Sequence, residues 1–464
     1  MKKVTLTVAS VVASVLTATL PLSSASAETL RDTLITTYEN NPTLDAARAN
    51  VRGVDEEVPQ ALSGWRPSVI ATGDAALQNV DSNYSTGTSG NSHPTSVAVT
   101  VSQPVYTGGQ TVASTKSAEA TVSAARAGLL STQQDVFRLA VTAYMNVLRD
   151  EALVELNKNN STVLRRQLDA SNDRFNVGEI TRTDVAQAQA RLADSISNQI
   201  QAEGNLRSTR ANYERIVGRP PVALEEPDVP ENFPESEEVA LAIALENHPD
   251  IQSAKYNEES SRYDIRATSG QLLPSLSIDG TLSRVNNGGS SGTGGAAGGS
   301  YRGDTARIGA VLRVPLYQSG SVYSQVRQAR QINSQRMEQI EETVRAIRES
   351  VIQSWEALGT ARSRIGSNEE AVRANKIALD GVGQEAQVGS RTTLDVLNAE
   401  QELLLSQVNL VTARRDQYVA IYNVIAAIGK LNARDLGLNV EYYDPTKNYD
   451  RVRNKWFGTD GGLD

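Results

Sequence analysis

Two hydrophobic periods alternate along this chain. The first is a period of two. Val69, Ala71, Ala75 and Leu77 alternate with Ser68, Thr72, Asp74 and Gln78. Val97, Val99, Val101 and Val105 alternate with Ser96, Ala98, Thr100 and Ser102. Leu276, Ile278, Gly280 and Leu282 alternate with Ser275, Ser277, Asp279, Thr281 and Ser283. Ala306, Ile308, Ala310, Leu312, Val314 and Leu316 alternate with Thr305, Arg307, Gly309, Val311, Arg313 and Pro315. Each stretch predicts a strand with one apolar and one wet face. At about ten residues they have the length of a membrane-spanning β-strand. Asp74, Asp279, Arg307 and Arg313 all fall on the wet face, as a water-filled lumen requires. Taken alone, the strands also fit a sheet in water with one solvated side. The stretches joining them, 81–94 and 286–304, are rich in Gly, Ser, Asn and Thr and predict surface loops. A phosphate-cradling reading of the second is weak, because no Gly-Lys-Ser/Thr and no helix follow it.

The second period is helical. After Gly109 and Gly320 come long stretches with small and apolar residues on one side, such as Val122, Ala125, Leu129, Val136, Ala140, Ala143 and Val147. Residues 110–173 as one helix would extend ~95 Å. Return helices are predicted over 182–217 and 393–428. They carry Val185, Ala188, Leu192, Ile196 and Ile200, and Val396, Ala399, Leu403, Gln407 and Leu410, at steps of three and four. Such helices want neighbours in a coiled-coil-like wall. The outgoing helices are longer than the returning ones, so they either run on past them or break.

Between outgoing and returning helices stands a doubled turn. Val177-Gly178 and Val388-Gly389 follow the first helix of each pair; Thr181-x-x-Asp184 and Thr392-x-x-Asp395 open the second. Gly after a helical run is the usual left-handed stop, and Thr-x-x-Asp is a capping-box signature. Each copy predicts the tip of a long helical hairpin.

The turn is one piece of a duplication. Gly178/Gly389, Asp184/Asp395, Tyr144/Trp355 and Gly218/Gly429 all stand 211 positions apart; Asn41-Pro42 and His248-Pro249 stand 207 apart. We therefore divide the chain into a leader over 1–27, a first repeat over 28–219, a linker over 220–235, a second repeat over 236–435 and a tail over 436–464. Short helices are expected over 29–39 and 237–246, each followed by a helix with Pro at its first turn. Pro59 should kink that helix in the first repeat only; Arg266 stands there in the second. The linker is rich in Pro and acids. The tail has no period and is expected to wrap the helices or to lack full order.

Charge and composition narrow the function. Lys2 and Lys3, the apolar run Val4–Leu22 and Ala25-Ser26-Ala27 read as a cleavable export signal. Removing it takes the net charge from −9 to −11, which argues against a nucleic-acid partner. With no cysteine there are no disulfides, no thiol chemistry and no lipidated N-terminal Cys. After residue 27 no apolar run is long enough for a transmembrane helix. His93 and His248 lie in a loop and a turn, and no nucleophile or metal spacing occurs, so an enzyme is not expected and no cofactor is.

Leader, duplicated halves, two strands and a long hairpin per half together resemble the TolC family of outer-membrane channel proteins. The Val-Gly tips, the Gln103-Pro104-Val105-Tyr106 and Val314-Pro315-Leu316-Tyr317 strand-to-helix steps and the Asn/His-Pro helix starts carry the resemblance. It implies an all-α tunnel joined to a membrane β-barrel: a homotrimer, four strands per protomer, twelve in one outer-membrane barrel, with helices projecting into the periplasm. It also implies an exit duct for type I secretion or multidrug efflux, joined to a periplasmic adaptor and an inner-membrane transporter of ABC or RND type. In the family, polar contacts shut the tunnel at its tip. Thr183, Asp184, Arg391 and Asp395 match that network, with Asp395 forming a ring of three carboxylates. Asn398 stands where relatives place a second acidic ring, and Ala386 where some place a gate tyrosine. From the tip geometry, Arg391 is expected to reach Asp184 or Thr183, within or between protomers. Asp184 and Asp395 can equally serve as helix caps. Val177, Gly178, Val388 and Gly389 are the expected adaptor contacts. A competing reading is a secreted or surface coiled-coil structural protein without a channel. The lipid-length strands and matched half registers favour the duct.

Overall fold

A computed structural model describes residues 28–80, 90–228, 230, 233–289 and 301–460. The leader and the tips of both Gly/Ser loops lie outside the described residues.

The helices follow their sequence signals closely. α1 (Leu30–Asn40) is opened by a capping box between Thr29 and Asp32. α2 (Pro42–Asp55) starts at Asn41, whose carboxamide oxygen accepts from the Thr43 and Leu44 amides. α2 stops at Asp55 and α3 (Glu57–Leu62) takes over. Pro59 has no N–H to give the Asp55 carbonyl, which places the break four residues before it. The equivalent helix of the second half, α7 (Pro249–Gly270), runs 22 residues without a break. It is preceded by α6 (Glu237–Asn247).

The outgoing helices do not break. α4 (Gln110–Asn176) and α8 (Ser321–Gln387) are each 67 residues long, and the returns are α5 (Arg182–Val217) and α9 (Thr393–Ala427). At ~1.5 Å per residue the long helices span about 100 Å. α4 pairs with α5 along one half of its length and with α7 along the other; α8 pairs with α9 and then α7 in the same way. The largest apolar core sits where these pairings change over. Phe137, Tyr144, Tyr213, Val217, Leu358, Ile421 and Leu431 pack there with Leu34, Tyr38 and Leu44. Tyr144 is fully buried, and its hydroxyl bonds the carbonyls of Glu28 and Glu225. The linker is thereby stitched to the first repeat.

At one end of the rod stands an antiparallel sheet in the order β1 (Ser68–Ala75), β3 (Gly90–Tyr106), β4 (Ser275–Gly289), β5 (Tyr301–Arg313). A short strand, β2 (Gln78–Val80), is one more than the periodicity predicts. It continues β1 in the same register along β3: Ala75 faces Thr95 and Gln78 faces Ser92. The Ala76 amide donates to the Pro94 carbonyl at 3.0 Å, but Pro94 has no N–H to return. That missing donor separates β2 from β1. Two further expectations about extent need correction. The loops 81–94 and 286–304 are too long as read, because β3 begins at Gly90, β4 runs to Gly289 and β5 begins at Tyr301. In the other direction β5 ends at Arg313, so Val314 and Leu316 lie outside it, beside the donorless Pro315.

The described part of the tail, to residue 460, turns back along the first half. α10 (Thr446–Val452) lies against α2. Asn448 Nδ2 donates to the buried carboxylate of Asp55, Arg453 pairs with Glu119, and Arg66 donates to the Lys455 carbonyl.

Candidate functional site: the paired hairpin tips

At the end of the rod opposite the sheet, both hairpins turn in the same way. Gly178 and Gly389 take φ of 82° and 79°, the left-handed region that favours glycine. The Glu179 amide bonds back to Arg174 O at 2.9 Å and the Gly178 amide to Phe175 O at 2.9 Å. Ser390 to Glu385 and Gly389 to Ala386 repeat the pair at 3.0 and 3.3 Å. These are Schellman closures, and they leave Val177 and Val388 outermost, 72% and 80% exposed.

Each return helix then opens with a complete capping box. Asp184 N donates to Thr181 Oγ1 at 3.3 Å, and Thr181 N to Asp184 Oδ2 at 2.9 Å. Asp395 and Thr392 repeat this at 3.2 and 2.9 Å. The Thr181 hydroxyl foremost, with its amide, holds the Asp184 carboxyl below the usual carboxylate range. The Thr392 amide foremost does the same for Asp395. Both carboxylates are therefore caps, whatever else they do. Thr183 is exposed in the first turn of α5, and Ala386 is buried at the end of α8.

Arg391 does not reach Asp184 or Thr183 within the chain. Its Nε donates to Glu385 Oε2 at 2.9 Å, a partner six residues away on its own hairpin. The first tip has a counterpart of reversed order, Arg174 Nε to Glu179 Oε2 at 3.0 Å. In each tip an ion pair braces the turn, with the base on the helix in one and the acid on the helix in the other. Both pairs are exposed and screened by water, so neither contributes much to stability.

What joins the hairpins within one chain is different. Arg191 Nη2 donates to Asn398 Oδ1 at 3.1 Å, from α5 to α9. Below it Leu164, Ala188 and Leu397 form a small buried cluster across α4, α5 and α9. Asn398 is thus brought into the tip assembly by a residue the sequence reading missed. The available signal was the charge reversal at the 211 offset, where Arg191 matches Glu402. Nearby, burial pushes the Glu400 carboxyl above its ordinary range. Among the described residues no group of His, Asp and Glu is placed to hold a metal ion.

Comparison with known proteins decides the family. The family model described as "Outer membrane efflux protein" matches residues 35–219 and 240–430, nearly the whole of both halves. The chain belongs to the outer membrane efflux protein family. It is 34% identical over 439 residues to the outer membrane efflux protein BepC of Brucella suis biovar 1 (strain 1330), covering 94% of this chain and 92% of that protein. It is 28% identical over 435 residues to the outer membrane protein TolC of Escherichia coli (strain K12), covering 90% and 86%. The solved CmeC outer membrane channel of Campylobacter jejuni superposes with a TM-score of 0.76 at 18% identity, over 92% of this chain and 89% of that one. Membership locates this efflux protein in the outer membrane, with its helices extending into the periplasm. The family is one of channels, not of enzymes, and the coiled-coil alternative is not favoured. No described helix is long and apolar enough to cross a membrane.

Proposed function

We propose that three copies of this chain close into one duct, a twelve-stranded outer-membrane barrel continued by a helical tunnel. The observation that carries this is the agreement of register and face. Val69, Val101, Gly280 and Ile308 stand side by side across the sheet, as do Ala71, Val99, Leu282 and Ala306. The next row along the strands holds Ile70, Thr100, Thr281 and Arg307, on the other face. One face is apolar and open, with Ile308 81% exposed and Leu282 63%. In hydrocarbon every backbone group must be paired, so an open sheet must close. With β2 continuing β1, each chain offers four strand rows and two free edges, along β1 and β5. Three chains give twelve rows and no edge. The helices carry the same message, since α8 keeps an exposed flank.

The resting duct must be shut, and the tips are the place. Arg391 uses only its Nε on Glu385 in the single chain. Its remaining donors can bridge to Asp184 or Thr183 of the next copy. Asp395 from three copies would line the mouth. Val177, Gly178, Val388 and Gly389, outermost on rigid turns, suit docking by the helical tip of a periplasmic adaptor. Substrates would pass from an inner-membrane transporter through the adaptor to the exterior, in type I secretion or drug efflux. The test is mass and heat-modifiability of detergent-purified protein. A three-chain species that collapses to single chains only on heating is expected; single chains in both lanes would overturn the proposal.

A further inference from the structure

The apolar face of the sheet does not end in apolar residues. In the row beyond Leu282 and Ala306 on that face stand Arg284 and Asp304, directly opposed across β4 and β5. Arg302, two residues before Asp304 on β5, points the same way by strand alternation. We infer that this end of the face is a docking surface for the phosphorylated headgroups of an anionic lipid leaflet. The inference rests on the barrel reading above, which makes this face the one that meets lipid.

Position and charge carry the argument. At the helix-proximal end the face closes with Tyr106 opposite Leu276, an exposed aromatic of the kind that lies at a membrane interface. From Leu276 to Arg284 is about 27 Å along the strand, roughly the height of an apolar belt once the strands tilt. The arginines therefore fall at the outer interface, where the described residues of this face include no Tyr, Trp or Phe, and one exposed imidazole, His93. Arg284 is matched: its Nε and Nη2 hold Asp304 Oδ1 and Oδ2 at 2.6 and 3.0 Å. That pair occupies both carboxylate oxygens. Arg302 is exposed and makes no hydrogen bond or ion pair among the described residues. Arg302 also acts through space on the Asp304 carboxylate, so each chain presents two guanidinium forks to one carboxylate, a net positive charge repeated around the rim in an assembly. A guanidinium fork fits phosphate in two-point fashion. On the opposite face, in the row next to that of Arg284, Asp74 accepts from Ser96 and carries the reverse sign. Among the described residues at this end of the sheet, the positive excess lies on the outward side.

The test uses the assembled protein in detergent, titrated with lipid A, a bisphosphorylated glycolipid, and read by native mass spectrometry. One arm compares wild type with Arg302→Gln and with the charge-neutral double change Arg284→Gln/Asp304→Asn. Lipid A occupancy should fall about fivefold in Arg302→Gln, the effect of one basic group at an anionic surface. It should stay within about twofold in the double variant, which keeps the charge excess. Dephosphorylated lipid A should bind the wild type no better than Arg302→Gln binds lipid A. Equal occupancy in wild type and Arg302→Gln would overturn the inference, as would equal binding of dephosphorylated lipid A. Full displacement by inorganic phosphate would assign a free-anion site and overturn the lipid docking surface. A parallel Ile308→Cys variant, probed in vesicles with a membrane-impermeant maleimide that needs an ionised thiol in water, separates the two levels. If the introduced thiol is labelled, the barrel reading fails; if it is protected while lipid A shows no preference, only the headgroup inference fails.

Discussion

Helices α4 and α8 have the same length, matching positions in the two halves and the same kind of turn at each end, but they are buried very differently. α4 buries residues along most of its course, from Thr111 to Ser171. α8 buries Val322, Val326, Ile347, Val351, Leu358, Ala361 and Ala386, and the rest of it meets solvent in part or in full. The difference is visible position by position. Phe137 is 0% exposed, and the residue 211 further on is the exposed Arg348; Val141 is 1% exposed, and its counterpart Ile352 is 39%. α4 lies against α5, α7, α9 and the first-half helices α1, α2 and α3, whereas α8 packs mainly against α9, α7 and α6. A helix of this length with an apolar flank in water is not stable by itself. In the proposed assembly the second half is the side that meets another copy, and the free edge of β5 lies on the same half of the chain.

Substitutions can break this contrast. The largest effect is expected at Phe137. Phe137→Ala should cost about 3–5 kcal/mol, while Arg348→Ala at the matching position of α8 should stay within about 0.5 kcal/mol. Urea denaturation of the purified protein reads the difference. Equal losses at both sites would mean that α8 is as enclosed as α4.

The sheet offers a second contrast, between the middle of its apolar face and its end. Ile308→Arg should destabilise the membrane-inserted protein by about 2–4 kcal/mol. Leu312→Arg, opposite Leu276 near the helix-proximal end of the face, should cost only ~0–1 kcal/mol. Arg313, on the wet face, should tolerate Gln with a change in ion selectivity alone. Folding into vesicles measured against denaturant ranks the three. If Arg313→Gln is the most damaging, the register is displaced by one residue.

The tips sharpen the comparison at smaller cost. No atom lies within 4 Å of a Cβ added at Gly178 or Gly389, so only the backbone resists substitution. Gly389→Val should cost about 1–2 kcal/mol in tip stability, and Gly389→Asn distinctly less. Gly178→Glu and Gly389→Glu should block export while the assembly still forms; loss of assembly in both would make the glycines purely conformational.

The smallest effect is in pH. Asp184 and Asp395 titrate below their unfolded values because Thr181 and Thr392 bond their ionised forms. Their contribution is fully present above the unfolded carboxylate value near ~4 and is lost as pH falls through the lowered native value. Pepsin cleavage within 176–184 or 387–395 should therefore accelerate between pH ~4 and pH ~2. An unchanged rate over that range would remove the caps from the account of tip stability.

Much of this was legible in the sequence, and the reasons for the rest are specific. Helix ends were readable because glycine and Thr-x-x-Asp act locally, through φ and through bonds three residues apart. The outgoing helices left two options open, and packing of their far halves on α7 selected the unbroken one. Strand β2 was hidden because Pro94 on its neighbour, not any residue of its own, divides it from β1. The Gly- and Asn-rich strand ends read as loop since backbone pairing needs no side-chain period. Arg391 illustrates a harder limit. Its charge and place were plain, but Glu385 stands within reach on the same turn, and a local partner wins over a distant one. The path of the tail could not be read beyond a choice between wrapping the helices and lacking order, as Asn448, Arg453 and Lys455 find their partners only in the folded first half.

The central claim is a duct that copies of this chain close and that its tips hold shut. Single-channel conductance in planar lipid bilayers, wild type beside Arg391→Ser, tests it most directly. Both proteins should insert and give discrete steps, with a larger step for Arg391→Ser. A wild type that gives no discrete steps would contradict the duct, and equal steps from a normally folded Arg391→Ser would contradict the gate.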